Sequence, residues 1–141
     1  MNRRDLMTAG AALLAVSTTA HAQTAHDHHD AGVANPLFDA ASNCVKTGLV
    51  CIDHCLQSFA AGDTSLASCA RASDQMLSTC GTLAKLASVR SPYLGAMAKV
   101  ALAVCQDCET ECRKHADKHA ACKDCAEACA ACATECKKVA T

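Results

Sequence analysis

Residues Cys122–Cys136 read CKDCAEACAACATEC, with cysteines at 122, 125, 129, 132 and 136. Their spacing runs three, four, three, four. At about 100° per residue on an α-helix, those steps hold five thiols within an arc of about 80°. A strand would scatter them over both faces, because successive side chains of a strand point opposite ways. The positions between are Ala, Lys, Asp, Glu and Thr, so the segment is an amphipathic helix whose inward stripe is made of sulfur.

The same arithmetic extends upstream. CQDCETEC carries Cys105, Cys108 and Cys112 at steps of three and four. Cys44, Cys51 and Cys55 are spaced seven and four, within about 40° of one another, and Cys69 and Cys80 are eleven apart, about 20°. Punctuation separates four segments. Asn35 before Pro36 opens the first helix and Gly62 closes it. Asp63 or Thr64 caps a second that reaches about Val89, Ser91-Pro92 opens a third, and the polar stretch Arg113–His119 is a corner before the fourth, which ends near Val139. A straight helix running through that corner would turn the last cysteine set about 100° away from the third. Four helices of similar length with short connections predict an all-α fold, an antiparallel up-down-up-down four-helix bundle with a cysteine-lined core over residues 35–141. Counting axial rise from the Gly62 end predicts levels: Cys55, Cys69, Cys112 and Cys125; then Cys51, Cys108 and Cys129; then Cys105, Cys132 and Met76; then Cys44, Cys80 and Cys136.

The start of the chain has another purpose. Residues 1–22 carry the Arg3-Arg4 pair, a small apolar run and Ala20-His21-Ala22, and read as a twin-arginine export signal of the kind that carries folded proteins across a bacterial inner membrane. The expected location is the periplasm or an internal membrane lumen of a Gram-negative bacterium. Residues 23–34 include His26, His28 and His29 with little to bury, and read as a disordered His-rich tail. No later stretch reaches the roughly 20 apolar residues of a membrane span. With 13 Lys and Arg against 14 Asp and Glu in 141 residues, nucleic acid is not an expected partner. No Ser/His/Asp set, carboxylate pair or phosphate loop suggests an enzyme.

Thirteen cysteines with no Trp, one Tyr and two Phe leave three meanings for the sulfur. As small hydrophobes the thiols would replace Leu and Ile at a cost of about 25 cal/mol per Å2 of lost burial. A disulfide-stapled exported structural bundle is the alternative reading, favoured by an oxidising compartment. Against it stand the odd count and the three- and four-residue steps, which hold side chains parallel in a geometry poor for S–S bonds. Metal is the third. Zinc on four thiolates leaves two net negative charges per site in a low-dielectric core, and the cysteine run of bacterial ferredoxins is missing. One soft monovalent ion per thiolate restores neutrality, which points to Cu(I). The CxxxC pairs Cys51/Cys55, Cys108/Cys112, Cys125/Cys129 and Cys132/Cys136 match the roughly 4.5 Å that a two-coordinate ion spans.

With the twin-arginine leader, the Ala-rich helices and the motifs CQDCETEC and CKDCAEACAACATEC, the chain from about Asn35 to Val139 resembles the bacterial copper storage proteins, and in particular their exported members in methane-oxidising bacteria. The resemblance implies a four-helix bundle that holds many Cu(I) ions, assembles as a homotetramer, and supplies copper-dependent enzymes such as the particulate methane monooxygenase. The expected metal ligands are Cys44, Cys51, Cys55, Cys69, Cys80, Cys105, Cys108, Cys112, Cys122, Cys125, Cys129, Cys132 and Cys136, together with Met76 and His115. Met76 falls on the cysteine stripe of the second helix, equally suited to a thioether ligand and to core filler. His115, with His54 and His119, marks the corner end as the expected mouth. Met97 reads as core.

Overall fold

In the computed structural model, residues 35–141 are described. The export signal at 1–22 and the tail at 23–34 lie outside the described residues.

Helix α1, Pro36–Ala60, begins as its sequence requires: the Asn35 side chain accepts from the Phe38 amide at 3.1 Å, and Pro36 takes the first helical position. The Asn35 amide also donates to the Ala87 carbonyl at 3.0 Å, fastening the start of α1 to the end of α2. At its far end Gly62 sits at φ +86°, its amide bonded to the Phe59 carbonyl and that of Asp63 to the Ser58 carbonyl. This is a Schellman ending, in which a glycine takes the left-handed position.

Helix α2, Ala67–Ser88, starts two or three residues later than a cap at Thr64 or Asp63 predicts. The Asp63 carboxylate accepts from the Ser65 amide at 2.8 Å and so caps a turn instead of the helix. That backbone bond holds the exposed Asp63 carboxyl below its usual range. The end of α2 repeats the Schellman pattern, Ser91 amide to Leu86 carbonyl and Arg90 amide to Ala87 carbonyl, but Arg90 occupies the left-handed position at φ +50°. A side chain there costs on the order of 1 kcal/mol. R90G is therefore expected to raise the melting temperature of the metal-free protein by about 4–8 °C, measured by circular dichroism; an unchanged or lower value would show that the Arg90 side chain compensates.

Helix α3 is Leu94–Arg113 and α4 is Ala120–Val139. The Ser91 hydroxyl accepts from the Tyr93 amide across Pro92, so the predicted opening serves a turn before α3 begins. Each helix packs on its neighbours in sequence, and α1 packs on α4, closing a square. This is the up-down-up-down bundle expected from the short connections. Its centre holds only four large apolar side chains, Leu37, Leu66, Met76 and Leu83; the rest of the buried apolar set is Cys and Ala. Met97 is half-buried against this core, as expected. Small side chains let the helices sit close enough for thiols from opposite corners to meet. Among the described residues no helix is long and apolar enough to cross a membrane.

Candidate metal centre

Every cysteine is buried and free, with no exposed surface on any of the thirteen. The stripe arithmetic thus places all of them correctly, and the shortest sulfur contact, Cys69 to Cys112 at 3.2 Å, is well beyond the roughly 2.05 Å of an S–S bond. Four tight groups emerge, each with sulfurs within 4.8 Å of one another. Cys44, Cys80, Cys105 and Cys132 bring one sulfur from each helix. Cys51, Cys69 and Cys122 form a second group near the corner; Cys51, Cys112 and Cys125 a third; Cys108, Cys125 and Cys129 a fourth. Shared members link the last three into a continuous run. Cys136 joins through Cys132 at 4.0 Å, and Cys108 and Cys112 lie 3.9 Å apart, so these CxxxC pairs have close to the predicted span.

The predicted levels need two corrections. Cys51, not Cys55, lies with Cys69, Cys112 and Cys125, so α1 is shifted by about one turn, and Cys44 and Cys80, placed with Cys136 by the count, lie with Cys105 and Cys132. The cause of the α1 shift is the connection. Asp63 and Thr64 are not helical, and non-helical residues cover up to about 3.3 Å each where a helix advances about 1.5 Å. Counting them as helix placed Cys69 too near the end.

Ionisation follows the packing. Burial pushes Cys55 up to about 11 and Cys122 to about 12, because a thiolate loses solvation there. Elsewhere thiols donate to one another, so one sulfur of a group becomes acidic while its donors are held protonated. Cys112 donates to Cys51 and to Cys108, lowering both, and is itself raised. Cys129 beside Cys105 lowers it to about 5, and Cys132, facing Cys105 and Cys136, is lowered as well. Nine of the thirteen thiols are pushed up and so hold their protons in the metal-free core, while the four they face, Cys51, Cys105, Cys108 and Cys132, are the ones lowered.

The other two named residues differ. Met76 is fully buried, and its terminal methyl occupies the space that a Cβ on Gly48 would need, 2.6 Å away. Gly48 is what lets Met76 cross toward α1. His115 is half-buried at the corner, its ring 6.4 Å from that of His119. His119 in turn pairs with His54, Nδ1 to Nε2 at 2.8 Å. A contact across 65 positions leaves no local signal in a sequence. Ser73 is the residue that spacing alone missed. It is fully buried among sulfurs, and the available signal was its place on the α2 stripe, four residues after Cys69 and three before Met76.

Residues 32–141 match the family model described as Copper storage protein. The chain belongs to the copper storage protein family. That family is one of storage proteins, not of enzymes. Among solved structures of the family, the chain is similar to Cu(I)-bound copper storage protein BsCsp3, at 28% identity and a TM-score of 0.66, covering 74% of this chain and 95% of that one. It is equally similar to apo-Csp3 from Bacillus subtilis, at 28% identity and a TM-score of 0.66, with coverage of 75% and 97%. The copper storage protein Ccsp from Streptomyces lividans, loaded with 10 copper equivalents, gives 27% identity and a TM-score of 0.67 over 74% of this chain and 80% of that one. A cysteine-rich protein of Bacillus subtilis, YhjQ, is 29% identical over 103 residues, 73% of this chain and 92% of the relative.

Proposed function

We propose that the bundle stores Cu(I), about one ion per cysteine, with all thirteen core thiolates as ligands and Met76 and His115 as auxiliary ones. The observation that carries this reading is the Cys44/Cys80/Cys105/Cys132 group, a buried sulfur from each helix within 4.8 Å, with no charged side chain buried in the core among the described residues. Thiolate and thioether sulfur select Cu(I). Each ion replaces the proton of one thiol, so the filled core is neutral. Binding therefore releases protons, and acid weakens it. Anaerobic titration of the reduced protein with Cu(I) is expected to saturate near thirteen ions per chain; saturation at one to three overturns the reading. A parallel count of free thiols on protein from its native compartment is expected to find all thirteen, whereas six disulfides with little copper would favour a stapled bundle.

Loading proceeds from the corner end, where His54, His115 and His119 cluster. Packed helices close the sides of the bundle. Replacing His115 and His119 together with Ala is expected to slow Cu(I) uptake in stopped-flow mixing by roughly tenfold, the scale of losing an outer ligand, while capacity stays near that of the unaltered protein. Unchanged rates would refute the mouth.

The leader supports export of the folded chain by the twin-arginine route to the periplasm or an internal membrane lumen. The destination of the copper, on the resemblance to exported members, is a copper-dependent enzyme such as the particulate methane monooxygenase. Assembly as a homotetramer is supported by Phe38, Leu49 and Leu56, exposed and apolar on α1 and within about 20° of one another around the helix; this stripe exceeds the scattered apolar residues of an ordinary surface.

A further inference from the structure

Between Cys69 and Cys80 the inner stripe of α2 carries Ser73 and Met76 where the other helices carry sulfur from cysteine. Ser73 is the one buried polar side chain among the described residues. Its Oγ lies 3.6 Å from Cys51 Sγ, 3.7 Å from Cys112, 3.8 Å from Cys108 and 3.9 Å from Cys125. Those sulfurs come from α1, α3 and α4, so the hydroxyl sits at the axis of the bundle.

Hydroxyls within helices usually return their proton to a backbone carbonyl three or four residues back. Thr47, Ser58, Thr82, Thr110 and Thr134 all do so here. The hydrogen-bond partners of Ser73 are all sulfur. A hard oxygen is a poor ligand for Cu(I) beside four thiols, but its O–H is a donor that a thiolate accepts well.

We infer that Ser73 is a positioning residue that makes this middle level the place where the first Cu(I) ions bind. Here the inference rests on the core thiols being the ligands. The physical need for such a donor is confined to the start of filling. One Cu(I) held by two thiolates is a unit of net charge −1, since two thiols have each released a proton to solvent and only one positive charge has entered. In a dry core that charge is costly, and a hydroxyl dipole pointed at the sulfurs offsets part of the cost, charge-assisted hydrogen bonds being about twice as strong as neutral ones. As filling approaches one ion per thiolate the excess charge disappears. Ser73 retains its own proton throughout, and no oxidation or reduction occurs. It therefore governs order and early affinity, not capacity.

The test uses the full reduced chain with Cu(I) alone under argon, cysteines labelled at 13Cβ, and a chromophoric Cu(I) chelator as competitor. In the unaltered protein the first two equivalents are expected to shift the resonances of Cys51, Cys108, Cys112 and Cys125 ahead of Cys44, Cys80 and Cys136. S73A is expected to weaken those first two equivalents by about tenfold and to spread the early shifts over all levels, with saturation unchanged. S73C, which substitutes a ligand for the donor, is expected to lose the order likewise while gaining about one ion of capacity, and serves if S73A folds poorly. An early order and affinity unchanged in both variants overturns the role of Ser73. Copper that shifts no cysteine resonance even in the unaltered protein overturns the ligand assignment itself, and Ser73 with it.

Discussion

Replacing Cys44, Cys80, Cys105 and Cys132 together with Ala is expected to lower the Cu(I) capacity from about thirteen to about nine ions per chain while leaving the bundle folded. The four sulfurs form one group, one from each helix, and each is fully buried. Ala is already the commonest residue of this core after Cys and the best helix former. The lost sulfur contacts cost on the order of 1 kcal/mol each, so the variant melts lower when empty without unfolding at room temperature. The remaining groups are joined through Cys51 and Cys125 and contain none of the deleted residues. A capacity that stays near thirteen would mean that these thiols are not ligands. A collapse to near zero would mean that filling is all-or-none along the column, contrary to separate groups of sulfur.

Filling is also expected to raise the melting temperature by more than about 15 °C at neutral pH. A single site at a thousand times its Kd contributes about 4 kcal/mol, and each kcal/mol moves a domain of this size by about 4–8 °C. Alkali should widen the gap. Cys55 and Cys122 are held protonated by burial, at about 11 and about 12 against an ordinary thiol value of 9.0. A thiol raised in the folded state contributes stability that is complete below the unfolded value and is lost as pH rises toward the folded value. The metal-free protein is therefore expected to lose stability steadily from about pH 9 to pH 12. Cys105, lowered to about 5, has its whole contribution in place above pH 9 and does not mask the decline. In the filled protein those thiols carry copper in place of a proton, and the melting temperature should stay flat over the same window. Parallel declines in both forms, followed by scanning calorimetry, would exclude Cys55 and Cys122 as ligands.

The fold was legible because a three-and-four spacing of one residue type converts directly into a helical face, and Cys122–Cys136 runs through it twice without interruption. Inwardness followed from what the other faces carry. Axial register was less legible, since it depends on how much length a connection covers: Asp63 and Thr64, read as a cap, form a turn that moves α1 by one turn against its partners. The pairing of His54 with His119 depends on that same register, which no local spacing contains. Ser73 stayed hidden for a chemical reason. A serine on a helix reads as polar surface unless its place in the stripe is given more weight than its type, and on α2 the stripe had only two cysteines to define it.

Every helix of the square contributes sulfur to at least two of the groups, and each group draws on two, three or four helices. An ion bound there ties two, three or four helices together, so the cargo doubles as cross-linking agent, much as sulfur bridges cure raw rubber. An empty bundle is held mainly by Cys and Ala contacts, with few large apolar side chains, and should breathe; a full one is vulcanised. Amide hydrogen exchange along the four helices then becomes a gauge of how much metal the protein carries, and every ion withdrawn slackens the lattice that holds the next.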